Sequence, residues 1–109
     1  MVFDPTQNQN IKFIYSRVEC PEHVEGHNYF YILECSDNSL YCGSSTKLSG
    51  RLIEHQTGKA AHWTRLRRPV QLVYFEIYDN HLKAQQRELQ IKGWIREKKK
   101  NLILGKWGK

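Results

Sequence analysis

Aromatic and branched residues crowd the stretch from Tyr29 to Cys35, and the polar run Ser36-Asp37-Asn38-Ser39 interrupts it before Leu40 to Gly43 resumes. Such residues favour strands and the interruption is turn chemistry, so the pattern predicts a hairpin. From Leu48 the period changes. Leu48, Leu52 and Ile53 make a helical stripe that starts near Thr46 and stops at Gly58, a glycine suited to a left-handed C-terminal position. Lys59 to Thr64 reads as a further turn, Arg65 to Pro69 as a basic loop, and Val70 to Tyr78 as a third strand. His81 to about Lys98 reads as one helix, with apolar positions at Leu82, Leu89, Ile91, Trp94 and Ile95. The order β-β-α-β-α predicts a small α/β domain, a three-stranded antiparallel sheet flanked by helices. Residues 28–104 would form it. Residues 1–27 read as an N-terminal extension with a short strand over Ile11 to Val18, and 105–109 as a short basic tail.

The hairpin loop decides which side chains meet. Asn38 tolerates a left-handed backbone better than most residues. If Ser36-Asp37-Asn38 is a three-residue loop with a bulge at Asn38, Cys35 pairs with Ser39, Leu33 faces Tyr41 and Tyr31 faces Gly43. Tyr31, Tyr41 and Gly43 then share one face. A two- or four-residue loop would send the tyrosines to opposite faces. Taken alone, the pair is also explained by aromatic packing across the hairpin.

The chain has 109 residues, which suits one domain with a modest core. It contains no apolar stretch long enough to span a bilayer, and its start lacks a signal-peptide pattern, so a cytoplasmic protein is expected. Cys20, Cys35 and Cys42 are odd in number and form no disulfide framework; they read as buried thiols. Cys20-Pro21-Glu22-His23 with His27 loosely suggests metal ligation but lacks a second ligand pair. Charge is uneven: residues 1–40 carry −4 and residues 41–109 carry +10, within a net +6. A basic excess confined to one region is a footprint for a polyanion, although solubility alone also explains it.

Arg51 and His55, four apart, share a face of the first helix. A guanidinium grips phosphate oxygens in a fork and stabilises transition-state charge, and an imidazole moves protons near neutral pH. The bland alternative is a solvated polar face. Glu88 lies within about 60° of Ala84, Ile91 and Ile95 on its helix, so its carboxylate should be paired, protonated or bound to a cation. Lys92 at i+4 and the neighbouring Arg87 offer a plain salt bridge; a hard-oxygen ligand for Mg²⁺ is the functional reading.

The triplets Tyr29-Phe30-Tyr31 and Tyr41-Cys42-Gly43, followed by Leu48, Arg51-Leu52, His55, Gly58-Lys59-Ala60-Ala61, Arg67-Arg68-Pro69-Val70 and Arg87-Glu88, resemble the GIY-YIG nuclease superfamily, in its small single-domain bacterial members. Tyr29 stands where the first glycine of the motif would be, and Cys42 replaces the isoleucine of the second triplet. The resemblance implies metal-dependent hydrolysis of DNA phosphodiester bonds, structure-selective or in repair or recombination. Tyr31 and Tyr41 would position or deprotonate the attacking water, Gly43 would permit close approach, Arg51 would clamp the phosphate and His55 would assist. Glu88 would hold Mg²⁺ or Mn²⁺, and Asn101 is a candidate counterpart of a later family asparagine. Grip on DNA would come from Lys59, Arg65, Arg67, Arg68, Lys98, Lys99 and Lys100, with Trp63 able to stack on a base or to pack as a core lid. No membrane and no small-molecule cofactor are implied, and the sequence sets no oligomeric state. The alternative is a non-catalytic nucleic-acid-binding module with a vestigial site.

Overall fold

At the hairpin turn, the Cys35 N–H donates to the Ser39 carbonyl at 2.9 Å and the Asn38 N–H to the Cys35 carbonyl at 2.9 Å. Asn38 takes φ 68°, and Asp37 Oδ1 accepts from the Ser39 N–H (3.0 Å) and hydroxyl (2.6 Å). This three-residue loop joins β1 (Asn28–Glu34) to β2 (Leu40–Ser45) in a computed structural model that describes residues 18 and 20–105. Tyr31 pairs with Gly43 and Leu33 with Tyr41, so the register is the one the bulged loop predicts.

The chain continues through α1 (Leu48–Thr57), a single helical turn α2 (His62–Arg65), β3 (Gln71–Tyr78), α3 (His81–Lys92) and α4 (Arg96–Ile103). The sheet runs β2-β1-β3, antiparallel throughout. Each face buries its own core. Tyr29, Tyr31, Leu33 and Leu72 pack with Leu48, Leu52 and Val70 on one side; Phe30, Ile32, Cys42 and Val73 pack with Ile91 and Leu102 on the other. A register shift between β1 and β3 at Ile32/Leu33 breaks the strand alternation, so that Val73 and Tyr74 both join the second core. Cys35 and Cys42 fall on opposite faces, and all three cysteines are buried.

α1 ends as a helix with a glycine stop should. Gly58 takes φ 80°, its N–H donates to the His55 carbonyl (3.3 Å), and the Lys59 N–H donates to the Glu54 carbonyl (2.8 Å), a Schellman motif. Gln56 then ties the following loop down, because its side-chain amide donates to the Val70 carbonyl and accepts from the Val70 N–H.

The helix expected over His81 to Lys98 is two helices. Gly93, a poor helix former, ends α3, and Ile95 takes an extended conformation before α4 begins. The buried stripe also differs from the expected one. Leu82 and Leu89 are exposed, Leu89 to 71%, while Ala84 and Ile91 are buried. Both pairs are seven apart, but two residues of offset rotate one pair about 200° from the other, and the sheet covers only one side. Ile95 lies beyond the helix and is 72% exposed, so it does not flank Glu88. The expected strand over 11–18 lies, except for Val18, outside the described residues, as does most of the basic tail.

Candidate active site

Tyr31 needs Gly43. A Cβ at Gly43 would stand 2.5 Å from the Tyr31 hydroxyl oxygen and 2.6 Å from its Cζ, closer than real contacts allow. The phenol therefore lies across the glycine backbone, buried, with Oη 2.9 Å from His55 Nε2. The His55 ring also meets Tyr41 edge to face, with centroids 5.2 Å apart. Its other nitrogen, Nδ1, lies 2.8 Å from Thr64 Oγ1 on α2, and the Thr64 hydroxyl reaches the Ala61 carbonyl at 3.1 Å. Hairpin, α1 and α2 thus converge on one imidazole.

Burial dominates the electrostatics. Together with the positive Arg51 one turn away, the smaller of the two causes, it lowers the His55 pKa to about 4, so the ring is neutral at pH 7. Burial also drives the Tyr31 phenol far above its ordinary value; neighbouring Tyr41 adds to this, Arg51 opposes it, and the charges of Glu88 and Glu54 raise it again. Tyr41 is raised by burial and by Glu88, with Arg51 opposing. Both phenols thus feel Arg51 and Glu88, which joins the five residues in one neighbourhood. The Arg51 guanidinium stays half-exposed, its Nε 3.5 Å from Glu54 Oε1.

Glu88 leans against the edge strand. Ser44, next to Gly43, donates its hydroxyl to Glu88 Oε1 at 2.7 Å, and Lys92 Nζ lies 3.8 Å from Oε2. Arg87 turns the other way: its fork holds Glu76 at 2.9 and 3.0 Å, where Tyr74 and Tyr78 also donate their hydroxyls. Among the described residues no group of three or more His, Cys, Asp or Glu side chains gathers to hold a metal. A single hydrogen-bonded carboxylate suits a cation such as Mg²⁺, which takes one or two carboxylates and completes its shell with water and substrate phosphate.

The basic residues do not form one surface. Arg67 is committed to the hairpin: its Nε lies 3.1 Å from Asp37 Oδ2, Nη1 donates to the Trp63 carbonyl (3.0 Å), and the guanidinium stacks 3.4 Å over the Trp63 ring. Trp63 is 45% exposed, so it is not a core lid. Arg68 donates to the Arg65 and Gln56 carbonyls (2.9 and 3.3 Å). Arg65 and Arg68 line an open groove with Gln56, Leu66 and Pro69, and Lys59 is exposed just past α1. Lys98, Lys99 and Lys100 sit on α4, whose Leu102 belongs to the second core. Lys98 stacks on Trp94 with Nζ 4.4 Å from the ring centre. Burial raises the Cys42 thiol pKa; Lys99 lowers it, Glu88 raises it and Lys92 lowers it, so Cys42 feels charges from both α3 and α4. Asn101 is half-buried on the same helix.

Sequence reasoning missed Thr64 and Ser44. Neither carries a periodic or charge signal; a threonine in a one-turn helix and a serine at a strand end look ordinary until the fold aims them at His55 and Glu88.

Known proteins resemble this chain in sequence and fold. The family model described as the GIY-YIG catalytic domain matches residues 27–101. A UPF0213 protein of Bacillus pumilus (strain SAFR-032) is 48% identical over 77 residues, 70% of this chain and 79% of that protein. UPF0213 protein HQ_3675A of Haloquadratum walsbyi is 50% identical over 79 residues, 72% of this chain and 89% of its own length. The solution NMR structure of protein EF2693 from E. faecalis is 32% identical with a TM-score of 0.55, covering 78% of this chain and 90% of that one.

Proposed function

The chain belongs to the GIY-YIG family, and on that premise we propose that it is a metal-dependent endonuclease hydrolysing DNA phosphodiester bonds. The observation that carries the reading is the contact of Tyr31 with His55 at 2.9 Å over Gly43, within reach of the charges of Arg51 and Glu88. Tyr31 is too reluctant an acid to rest as phenolate, so it works by exchange. As an attacking water gives a proton to Tyr31 Oη, the phenol proton passes to neutral His55 Nε2, and the resulting hydroxide forms the new P–O bond. Tyr41 orients the water. Arg51 holds the phosphate oxygens and their growing charge, and the bound phosphate offsets Arg51's disfavouring of a protonated His55. Glu88 would hold Mg²⁺ or Mn²⁺, which when bound supplies positive charge to the leaving oxygen. Once the old P–O bond breaks, the leaving oxygen takes a proton from solvent and His55 returns its own.

A second reading has one observation behind it. Both Glu88 oxygens already have protein neighbours, Ser44 and Lys92, as in a nucleic-acid-binding module with a vestigial site. Supercoiled, branched and single-stranded DNA with Mg²⁺ or Mn²⁺ separates the two. Cutting that stops with chelator and in Arg51→Ala and Glu88→Gln supports the nuclease. Salt-sensitive binding without any cutting, unchanged in Glu88→Gln, supports the module.

A further inference from the structure

We propose that Thr64 is a positioning residue that accepts the His55 Nδ1 proton, completing with Tyr31 a buried chain that keeps Nδ1 protonated and leaves Nε2 bare to receive the proton of Tyr31. The inference deepens the hydrolytic reading above and rests on it for its consequence, although its geometry stands alone.

Three protons must be placed in this buried chain: those of the Tyr31 phenol, the neutral His55 ring and the Thr64 hydroxyl. In one arrangement Thr64 donates to the Ala61 carbonyl at 3.1 Å, His55 Nδ1–H donates to Thr64 Oγ1 at 2.8 Å, and Tyr31 donates to Nε2 at 2.9 Å. Every proton then has an acceptor. In the reverse arrangement Thr64 donates to Nδ1 and Nε2–H donates to Tyr31. The Ala61 carbonyl would still accept from the Arg65 N–H at 3.0 Å, so nothing is lost there. The Tyr31 proton is what fails: the phenol is 2% exposed, and His55 Nε2 is its one hydrogen-bond partner among the described residues. A buried hydroxyl proton without an acceptor is costly enough to decide between the two.

The fold holds this polarity in place. α1 supplies the imidazole, β1 the phenol and α2 the threonine, and all three side chains are buried with no polar atom left unpartnered. The consequence is directional. With Nε2 bare, His55 accepts from Tyr31; with Nε2 protonated it would instead donate, and Tyr31 could not pass its proton on. When Nε2 takes that proton, the imidazolium keeps its Nδ1–H on Thr64, so no other bond in the chain need reverse.

The test is the tautomer and the hydrogen bond at Nδ1. Long-range proton–nitrogen NMR on ¹⁵N-histidine-labelled full-length protein at neutral pH should show His55 with a protonated Nδ1 and a bare Nε2. Thr64→Ser, which retains the hydroxyl, should keep that signature and a hydrogen-bonded Nδ1 proton; Thr64→Val, of similar shape without the acceptor, should keep the tautomer that Tyr31 demands but lose the downfield, slowly exchanging Nδ1 proton resonance. Wild-type protein with Nε2–H overturns the proposal whether or not a variant folds, and so does Thr64→Val with the wild-type Nδ1 proton resonance. DNA cutting, followed in parallel, should fall at least about tenfold in Thr64→Val and recover in Thr64→Ser, within what a positioned base contributes. If the tautomer and the Nδ1 proton behave as stated and wild-type protein cuts no DNA, the role of Thr64 survives and the nuclease reading fails.

Discussion

At Gly43 the absence of one carbon atom decides whether the hairpin can hold a buried phenol. An alanine there would meet the Tyr31 ring at 2.5–2.6 Å. Tyr31 is packed and hydrogen-bonded, so it has little room to yield. Gly43→Ala should therefore cost about 1–3 kcal/mol in denaturant unfolding and push Tyr31 off His55; an unchanged midpoint would mean the hairpin relaxes freely. His55 makes a second prediction at this scale. Its folded pKa lies near 4 against an ordinary 6.5, so between those values the unfolded chain binds a proton that the folded one refuses. Stability should then fall as pH drops from about 6.5 toward 4, by on the order of 3 kcal/mol in all. His55→Gln should lack that part of the slope when urea midpoints are compared across the window. A steeper slope in the variant would place the proton uptake elsewhere.

Among the elements, two helix-terminal glycines look alike in sequence and should behave oppositely. Gly58 sits at φ 80°, and a Cβ there would crowd Arg68 and Arg65 at 3.2–3.3 Å. Gly93 ends α3 at φ −82°, where a Cβ would meet only the Gln90 carbonyl at 3.8 Å. Gly58→Ala should destabilise by about 1–2 kcal/mol, and Gly93→Ala should be neutral or stabilise by up to about 1 kcal/mol. Paired unfolding curves check the sign, and the same sign for both would refute the cap assignments. These elements also show what was legible in the chain. The hairpin register could be read because three polar residues and a left-handed Asn38 leave little choice of turn. The break at Gly93 and the exposure of Leu82 and Leu89 could not, since a helix with two apolar stripes does not say which one the sheet will cover. Arg87 was equally silent: its partner Glu76 lies eleven residues away on β3, and only the packing of α3 on the sheet brings them together.

For the whole molecule, the sequence separated a basic region from an acidic one, but a linear charge balance carries no direction. The fold commits Arg67 to Asp37 and Trp63, leaves Lys59 and Arg65 exposed near α1 and α2, and puts Lys98 to Lys100 on α4. The candidate set of Tyr31, Tyr41, Arg51, His55 and Glu88 could be put forward from the sequence because its spacing resembles a family pattern, whereas the neighbours Thr64 and Ser44 depend on contacts that no pattern encodes. Among the described residues no helix is long and apolar enough to cross a membrane. The central claim is that one cleft, built on Tyr31, Tyr41, Arg51, His55 and Glu88, hydrolyses a phosphodiester. It is tested most directly by single-turnover cutting of end-labelled DNA with Mg²⁺ or Mn²⁺, with binding measured on the same samples, for wild-type protein and Glu88→Gln. The account predicts metal-dependent cutting by wild type, and a Glu88→Gln variant that binds DNA about as well but cuts at least roughly a hundredfold more slowly. Equal cutting by both proteins, or DNA binding with no cutting by wild type under either metal, would contradict it.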